Sequence, residues 1–244
     1  MLEVTQYSGF GIEQTGLLNY RGVQFSSGNY ATRGAGLTGL SDGSAFTLSY
    51  WIKAASSYSG RLLVSSSALF DLQGAGGTIY PPGWVGGPET ISWGVSGLTL
   101  NQWNHVCVSY NGTAGSISAF VNDTSALSFS GGAGGTGAFS DTNYGLGATT
   151  GGILNLTASV SELWFHPSYI DLSNSANRRL FIDPLLRPAD LGANGSRPLG
   201  GTQPILYLSV RSGQTLTDFL TNKGSGGNFT ATGTPTVTTD GPGS

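Results

Sequence analysis

The sequence predicts an all-β protein, a two-sheet antiparallel β-sandwich with one short helix. Two stretches, FTLSYWIK (46–53) and WNHVCVSYNG (103–112), alternate apolar and polar residues, the period of a half-buried strand. Glycine supplies 40 of the 244 residues without a G-X-Y period, which places it at turns between many short strands. Helical periodicity is nearly absent.

The strands are read in chain order. VQFSS (23–27) opens the series. In FTLSYWIK, Phe46, Leu48, Tyr50 and Ile52 share one face, with Thr47, Ser49, Trp51 and Lys53 on the other. RLLVSS (61–66) and LFDL (69–72) follow, then a long Gly/Pro loop over 75–88 that carries Tyr80 and Trp84. After TISWGV (90–95), the second Trp-bearing strand ends at an Asn111-Gly112 turn and pairs with SISAFVN (116–122) as a hairpin. A turn at Asn122-Asp123 leads to ALSFS (126–130), so these three strands read as a meander. GGAGGTG (131–137) is low complexity, and NYGLGA (143–148), ASVSELWFH (158–166) and ILYLSV (205–210) are further strands. The helix is expected over 173–182, with Ser173 as its cap and Asp183-Pro184 as its stop. The chain reads as one domain over 23–244. Before it, residues 1–22 form an apolar segment that either anchors the protein or folds back as an extra strand.

Charge is scarce at 9% of residues, so solubility is expected from Ser, Thr and Asn on outward strand faces. A net charge of −3 with only two lysines, Lys53 and Lys223, gives no footprint for nucleic acid. No apolar run reaches the roughly 18 residues of a membrane helix, and MLEVTQYSGF lacks the regions of a signal peptide. Cys107 is the only cysteine, which excludes an intrachain disulfide and reads as a buried, inert thiol.

With these residues in order, the chain resembles the laminin-G-like (concanavalin A-like) jelly-roll family. VQFSSGNYATR (23–33), FTLSYWIK, the WNHVCVSYNG–SISAFVND hairpin and SELWFHPSYIDLS (161–173) follow the family order, with the hairpin most specific. Asn122-Asp123 replaces the usual Asn-Gly turn. The closing stretch from Ile205 to Pro235 resembles the endings of such proteins encoded by bacteriophages.

Catalytic chemistry is poorly supplied. Jelly-roll glycoside hydrolases need two carboxyls about 5 to 9 Å apart. The four glutamates (Glu3, Glu13, Glu89, Glu162) have no acidic residue two to five positions away. His105 and His166 do not sit at zinc-ligand spacing, and no hydrolytic triad or phosphate loop is legible. No cofactor is expected apart from calcium, which the resemblance implies at a sandwich rim. Asp71, Asp123 and Asp141 are its candidate ligands, and solvated turn residues are the alternative. Trp51, Trp103 and Trp164 read as packing anchors. Tyr80, Trp84 and Trp93 are the candidates for glycan or partner contact, with burial against the protein's own sheet as the alternative.

The resemblance implies a non-enzymatic virion structural protein: a capsid decoration, head spike or fibre component, assembled in the host cytoplasm and displayed on the particle. Its partners would be other virion proteins, symmetry-related copies forming trimers, and host-surface glycans. A stand-alone carbohydrate-binding module is the alternative, and a glycan-active enzyme of the same fold the third reading.

Overall fold

The structure, a computed structural model, describes residues 19–67, 70–79, 91–131 and 135–244. Its strands form two large antiparallel sheets. The first runs, in spatial order, β11 (Thr124–Ser125), β10 (Ser116–Val121), β9 (Asn104–Asn111), β4 (Ala45–Lys53), β14 (Ala158–His166), β2 (Val23–Phe25) and β18 (Thr236–Val237), with β15 (Leu206–Leu208) also paired to β14. The second runs β12 (Leu127–Gly131), β8 (Ile91–Val95), β7 (Gly76–Ile79), β6 (Phe70–Gln73), β5 (Arg61–Ser65), β13 (Tyr144–Leu146), β3 (Tyr30–Arg33) and β17 (Thr230–Thr232). A separate ribbon joins β1 (Tyr20–Arg21) to β16 (Val210–Arg211).

The expected inner face forms the core. Phe46, Leu48, Ile52, Val106, Val108 and Val121 are all buried in one cluster between the sheets, with Leu63, Leu72, Phe139 and Leu146. Phe46 is its aromatic hub, with ring centroids of Trp93, Tyr110 and Phe139 within 6 Å. The tail contributes to both sheets, since β17 pairs with β3 and β18 with β2.

Four sequence expectations are corrected. The supposed meander breaks after β10: the short β11 pairs with β10, but β12 pairs with β8 in the opposite sheet. Ala126 is the crossing point. Its N–H donates to Ala119 O in one sheet, and its carbonyl accepts from Ser96 N–H near the end of the other.

Part of the expected Gly/Pro loop is strand β7. Gly77 lies opposite Trp93 in register, and a Cβ there would penetrate the Trp93 indole. Glycine is required here because the ring occupies the space a side chain would fill. Residues 80–90 lie outside the described residues, as do 132–134 of the low-complexity run.

The helix is confined to α1 (Ser175–Arg178), capped by the Asn174 side chain, which accepts from Ala176 N–H. Beyond it, Phe181 and Ile182 turn inward and are buried, and Ile182 bridges to Pro188. A second helix, α2 (Leu216–Leu220), begins at a capping box in which Asp218 accepts from the Thr215 backbone and hydroxyl. Its Phe219 and Leu220 enter the inner core.

The outward face of β4 is not solvated. Thr47, Ser49 and Trp51 are buried, and the chain from about residue 168 to 199 crosses the outer side of this sheet, meeting β4 at Thr47. Trp164, Cys107, Leu172, Phe181, Leu191 and Tyr207 form a second apolar layer there. Thr47 joins it to the sheet, donating to Ser168 O (2.8 Å) and accepting from Ile170 N–H (2.9 Å). With so few charges, the sheet's outer side is protected by this cover.

Candidate functional site

The sequence candidates occupy separate places. Trp93 is 5% exposed and packs on Phe46 with centroids 5.4 Å apart, so it is core and presents no ring to a ligand. The apolar requirement of the inner β8 face explains the correction. Tyr80 and Trp84 lie outside the described residues.

The three aspartates do not converge. Asp71 on β6 is buried beside Arg61 (3.0 Å), and burial outweighs that cation, raising its pKa to about 6. Asp123, at the turn after β10, is claimed by both Arg178 and Arg179. Asp141 accepts from Ser66 Oγ (2.7 Å), Ser67 N–H (2.8 Å) and Thr142 N–H (2.6 Å). Partial burial opposes its charge, yet these donors hold its pKa below the usual carboxylate range. Among the described residues, no group of three or more His, Cys, Asp or Glu is placed to hold a metal.

Trp51 and Trp164 are buried, and Trp103 is half-buried with its Nε1–H donating to Asp240 (3.2 Å). Burial pushes the Cys107 thiol up to about 12, in keeping with an inert thiol.

His105 is structural. It is fully buried, its Nε2 lies 2.8 Å from Ser49 Oγ, and its ring is 5.0 Å from that of Trp51. Nδ1 has no partner among the described residues, so a protonated ring would leave a buried charged donor unmet. Burial accordingly lowers its pKa to about 3. The unfolded chain binds this proton from about pH 6.5 downward and the folded one does not, so stability is lost as pH falls through that window. The limiting slope is about 1.4 kcal/mol per pH unit. Asp71 acts oppositely below about pH 6, because its raised pKa favours the folded state in acid. Urea melts of wild type and His105→Gln at pH 4.5 and 6.5 separate the two. The variant is expected to lose less stability on acidification, and equal losses would contradict the assignment.

The most developed polar constellation lies elsewhere, where the partner of β14 changes. Val160 pairs with β2, whereas Leu163 pairs with β15, and between them β14 carries a bulge against β4. Glu162 occupies that bulge with φ 50°, a left-handed conformation for a non-glycine residue. It is 2% exposed, and both carboxylate oxygens are engaged: Oε1 by Arg211 Nη1–H (2.6 Å) and Oε2 by the Tyr207 hydroxyl (2.8 Å). Burial raises its pKa, with Arg211 and the hydrogen bonds pulling the other way.

The β1–β16 ribbon sets Arg211, whose guanidinium lies 3.9 Å over the Tyr20 ring. Lys223 reaches the same region, donating to Ser209 O (2.5 Å) and Asp218 O (3.0 Å). Tyr207, Ser209, Arg211 and Lys223 line a cavity of about 340 Å³ with Asp190, Gly192, Ala193 and Gln214. Sequence reasoning missed the site. Its signal was the lone Glu162 in an otherwise uncharged strand, at the point where inward residues change parity from Val160 to Leu163.

Two stacked antiparallel sheets around one apolar core define a jelly-roll sandwich. The chain belongs to the concanavalin A-like lectin/glucanases superfamily in its laminin-G form, which matches residues 25–174. No curated protein matches the chain. A solved Bacteroides ovatus protein proposed to bind carbohydrate shares the fold with a TM-score of 0.59 at 16% identity, over 93% of this chain and 62% of its own. The chain thus spans under two thirds of that neighbour. The Limulus polyphemus SAP-like pentraxin (TM-score 0.45, 13% identity, 64% of this chain and 80% of its own) is more distant. So are mouse laminin α1 domains LG4–5 (0.40, 12%, 68% and 49%). Apart from Glu162, the side chains around the cavity lie beyond the matched segment.

Proposed function

We propose that this is a non-enzymatic, lectin-like module displayed on a bacteriophage particle, where it contacts glycans of the host surface. The observation that carries the non-enzymatic part is the state of Glu162. Its two oxygens are committed to Arg211 and Tyr207 inside the protein, so it is a structural anion, unsuited to serve as nucleophile or proton donor. Glu3, Glu13 and Glu89 lie outside the described residues. Membership of a superfamily of lectins and glucanases supports the glycan part. The phage-like closing stretch supports display as a capsid decoration, head spike or fibre component, in trimers that follow particle symmetry. The segment 1–22 helps anchor the protein to the particle, and 23–244 is the displayed domain.

The recombinant chain is expected to bind host-surface polysaccharide on an array without shortening it, and antibody against it to label the exterior of intact particles. Deleting residues 1–18 should leave a folded domain that no longer incorporates. Polysaccharide cleavage abolished by changing a single Asp or Glu would overturn the non-enzymatic reading. Glycan binding by a protein absent from particles would instead establish the stand-alone module.

A further inference from the structure

The cavity beside Glu162 is lined by two cations, Arg211 and Lys223, whose N–H donors exceed the acceptors the protein supplies. Arg211 and Lys223 contribute two positive charges against the one negative charge of Glu162. Asp190, at the cavity mouth, is neutralised by Arg197 and accepts from Gly192 N–H. Asp218 caps α2 through Thr215 and, still charged, faces Lys223, so the charges around the cavity balance and the ligand is read from the unused donors.

The donors are also left over in a particular geometry. Nη1 of Arg211 serves Glu162 and Ser209 Oγ (3.2 Å), and Nη2 serves the Tyr207 hydroxyl (3.2 Å). This commits the edge of the guanidinium facing Glu162. The Nε–H and one Nη2–H on its other edge have no partner among the described residues, and that pair matches the two oxygens of a carboxylate. Lys223 uses two of its three N–H groups on backbone carbonyls.

The lining gives the rest of the ligand's chemistry. Tyr207 is buried and Tyr20 is covered by Arg211, so no bare aromatic face is offered. The Gln214 amide, the Asp190 carboxylate and Ser209 Oγ supply donors and acceptors suited to hydroxyls, and Gly192 and Ala193 keep one wall low. The volume falls at the small end of the roughly 300–1,000 Å³ of ligand pockets, room for one sugar ring. The planar fork of Arg211 suits the two coplanar oxygens of a carboxylate.

We infer that this cavity binds a carboxylate-bearing sugar residue, its carboxylate on Arg211 and Lys223 and its hydroxyls on Gln214, Asp190 and Ser209. This deepens the lectin-like reading and rests on it, and it places a ligand site in the C-terminal part of the chain.

The test is an NMR titration of the full chain with methyl galacturonate, methyl galactoside and acetate, following Arg211 Nε–H and the backbone amides of residues 209–214. Galacturonate is expected to shift these signals with an affinity about tenfold or more above galactoside, the worth of a charge-assisted contact. Lys223→Gln should weaken it by a similar factor. Glu162→Gln, which removes the competing anion, should tighten it.

Equal binding of galactoside, or of acetate alone, would overturn the assignment of an acidic sugar. So would absence of shifts in the wild type, a result that does not depend on either variant folding. Array binding that survives while galacturonate leaves these signals unmoved would refute this site and leave the lectin-like reading intact. Failure to bind any glycan, by titration or array, would refute both.

Discussion

Trp164→Ala is expected to cost about 3–5 kcal/mol of stability, the upper range for truncating a buried aromatic. The indole is fully buried on the outer face of β14, edge-on to Phe181 with centroids 5.1 Å apart. Its Nε1–H donates to Gly195 O at 2.8 Å, so truncation opens a cavity and also strands a buried carbonyl. Gly195 in turn cannot carry a side chain, since a Cβ would meet the Tyr207 ring. The loss should be uneven. Amide exchange across 168–199 should accelerate first, while β4 and β9 keep the protection given by the inner core. Trp164→Phe should recover most of the packing and leave the carbonyl unmet. Denaturant melts and hydrogen exchange check both points. A cost below about 1 kcal/mol, or uniform acceleration, would mean that the outer layer is not a cooperative part of the fold.

The inner core was legible because strands announce themselves by period. Phe46, Leu48 and Ile52 on β4, with Val106 and Val108 on β9, alternate with polar residues and are buried together. The same alternation misled on the opposite face. Thr47 and Ser49 look like solvated positions, yet they are buried polar groups, Thr47 bonded to the covering chain and Ser49 to His105. Composition along one strand says which face is apolar; it does not say what lies over the polar one. The cover at 168–199 has little regular structure, so no period reveals it. β7 was hidden for a related reason: its Gly77 has no side chain to show a pattern, and the information sits in Trp93 on the neighbouring strand.

The site was less legible than the fold because it is assembled from distant segments. Tyr20, Glu162, Tyr207, Arg211 and Lys223 meet only through the β1–β16 ribbon and the change of partner along β14. Aromatics and aspartates carry the usual signals of a binding rim, but Trp93 and Asp71 lie on strands and both are buried. The bulge did leave a trace. Ala158 and Val160 point inward, and so do Leu163 and Phe165, a shift of one residue that a continuous strand cannot produce.

Arg211→Ala is the second large effect expected, about 3–5 kcal/mol, because it leaves the carboxylate of Glu162 buried without its cation. The loss should depend on pH in a particular direction. Burial already holds the Glu162 pKa above its ordinary value, and removing Arg211 removes the largest influence pulling it down. A carboxyl whose folded pKa is raised contributes stability below its unfolded pKa and loses that contribution as pH rises through the folded value. Arg211→Ala should therefore be weakest near neutrality and regain stability toward about pH 5, against the trend that His105 imposes on the wild type. The double variant Glu162→Gln/Arg211→Met should be more stable than Arg211→Ala alone. A neutral amide can still accept from Tyr207, and Met retains some of the apolar contact over Tyr20. Urea melts of the single and double variants at pH 5 and pH 8 decide the matter. A double variant no better than the single, with losses equal at both pH values, would show that Arg211 stabilises through its stem and its Tyr20 contact, and that its charge contributes nothing.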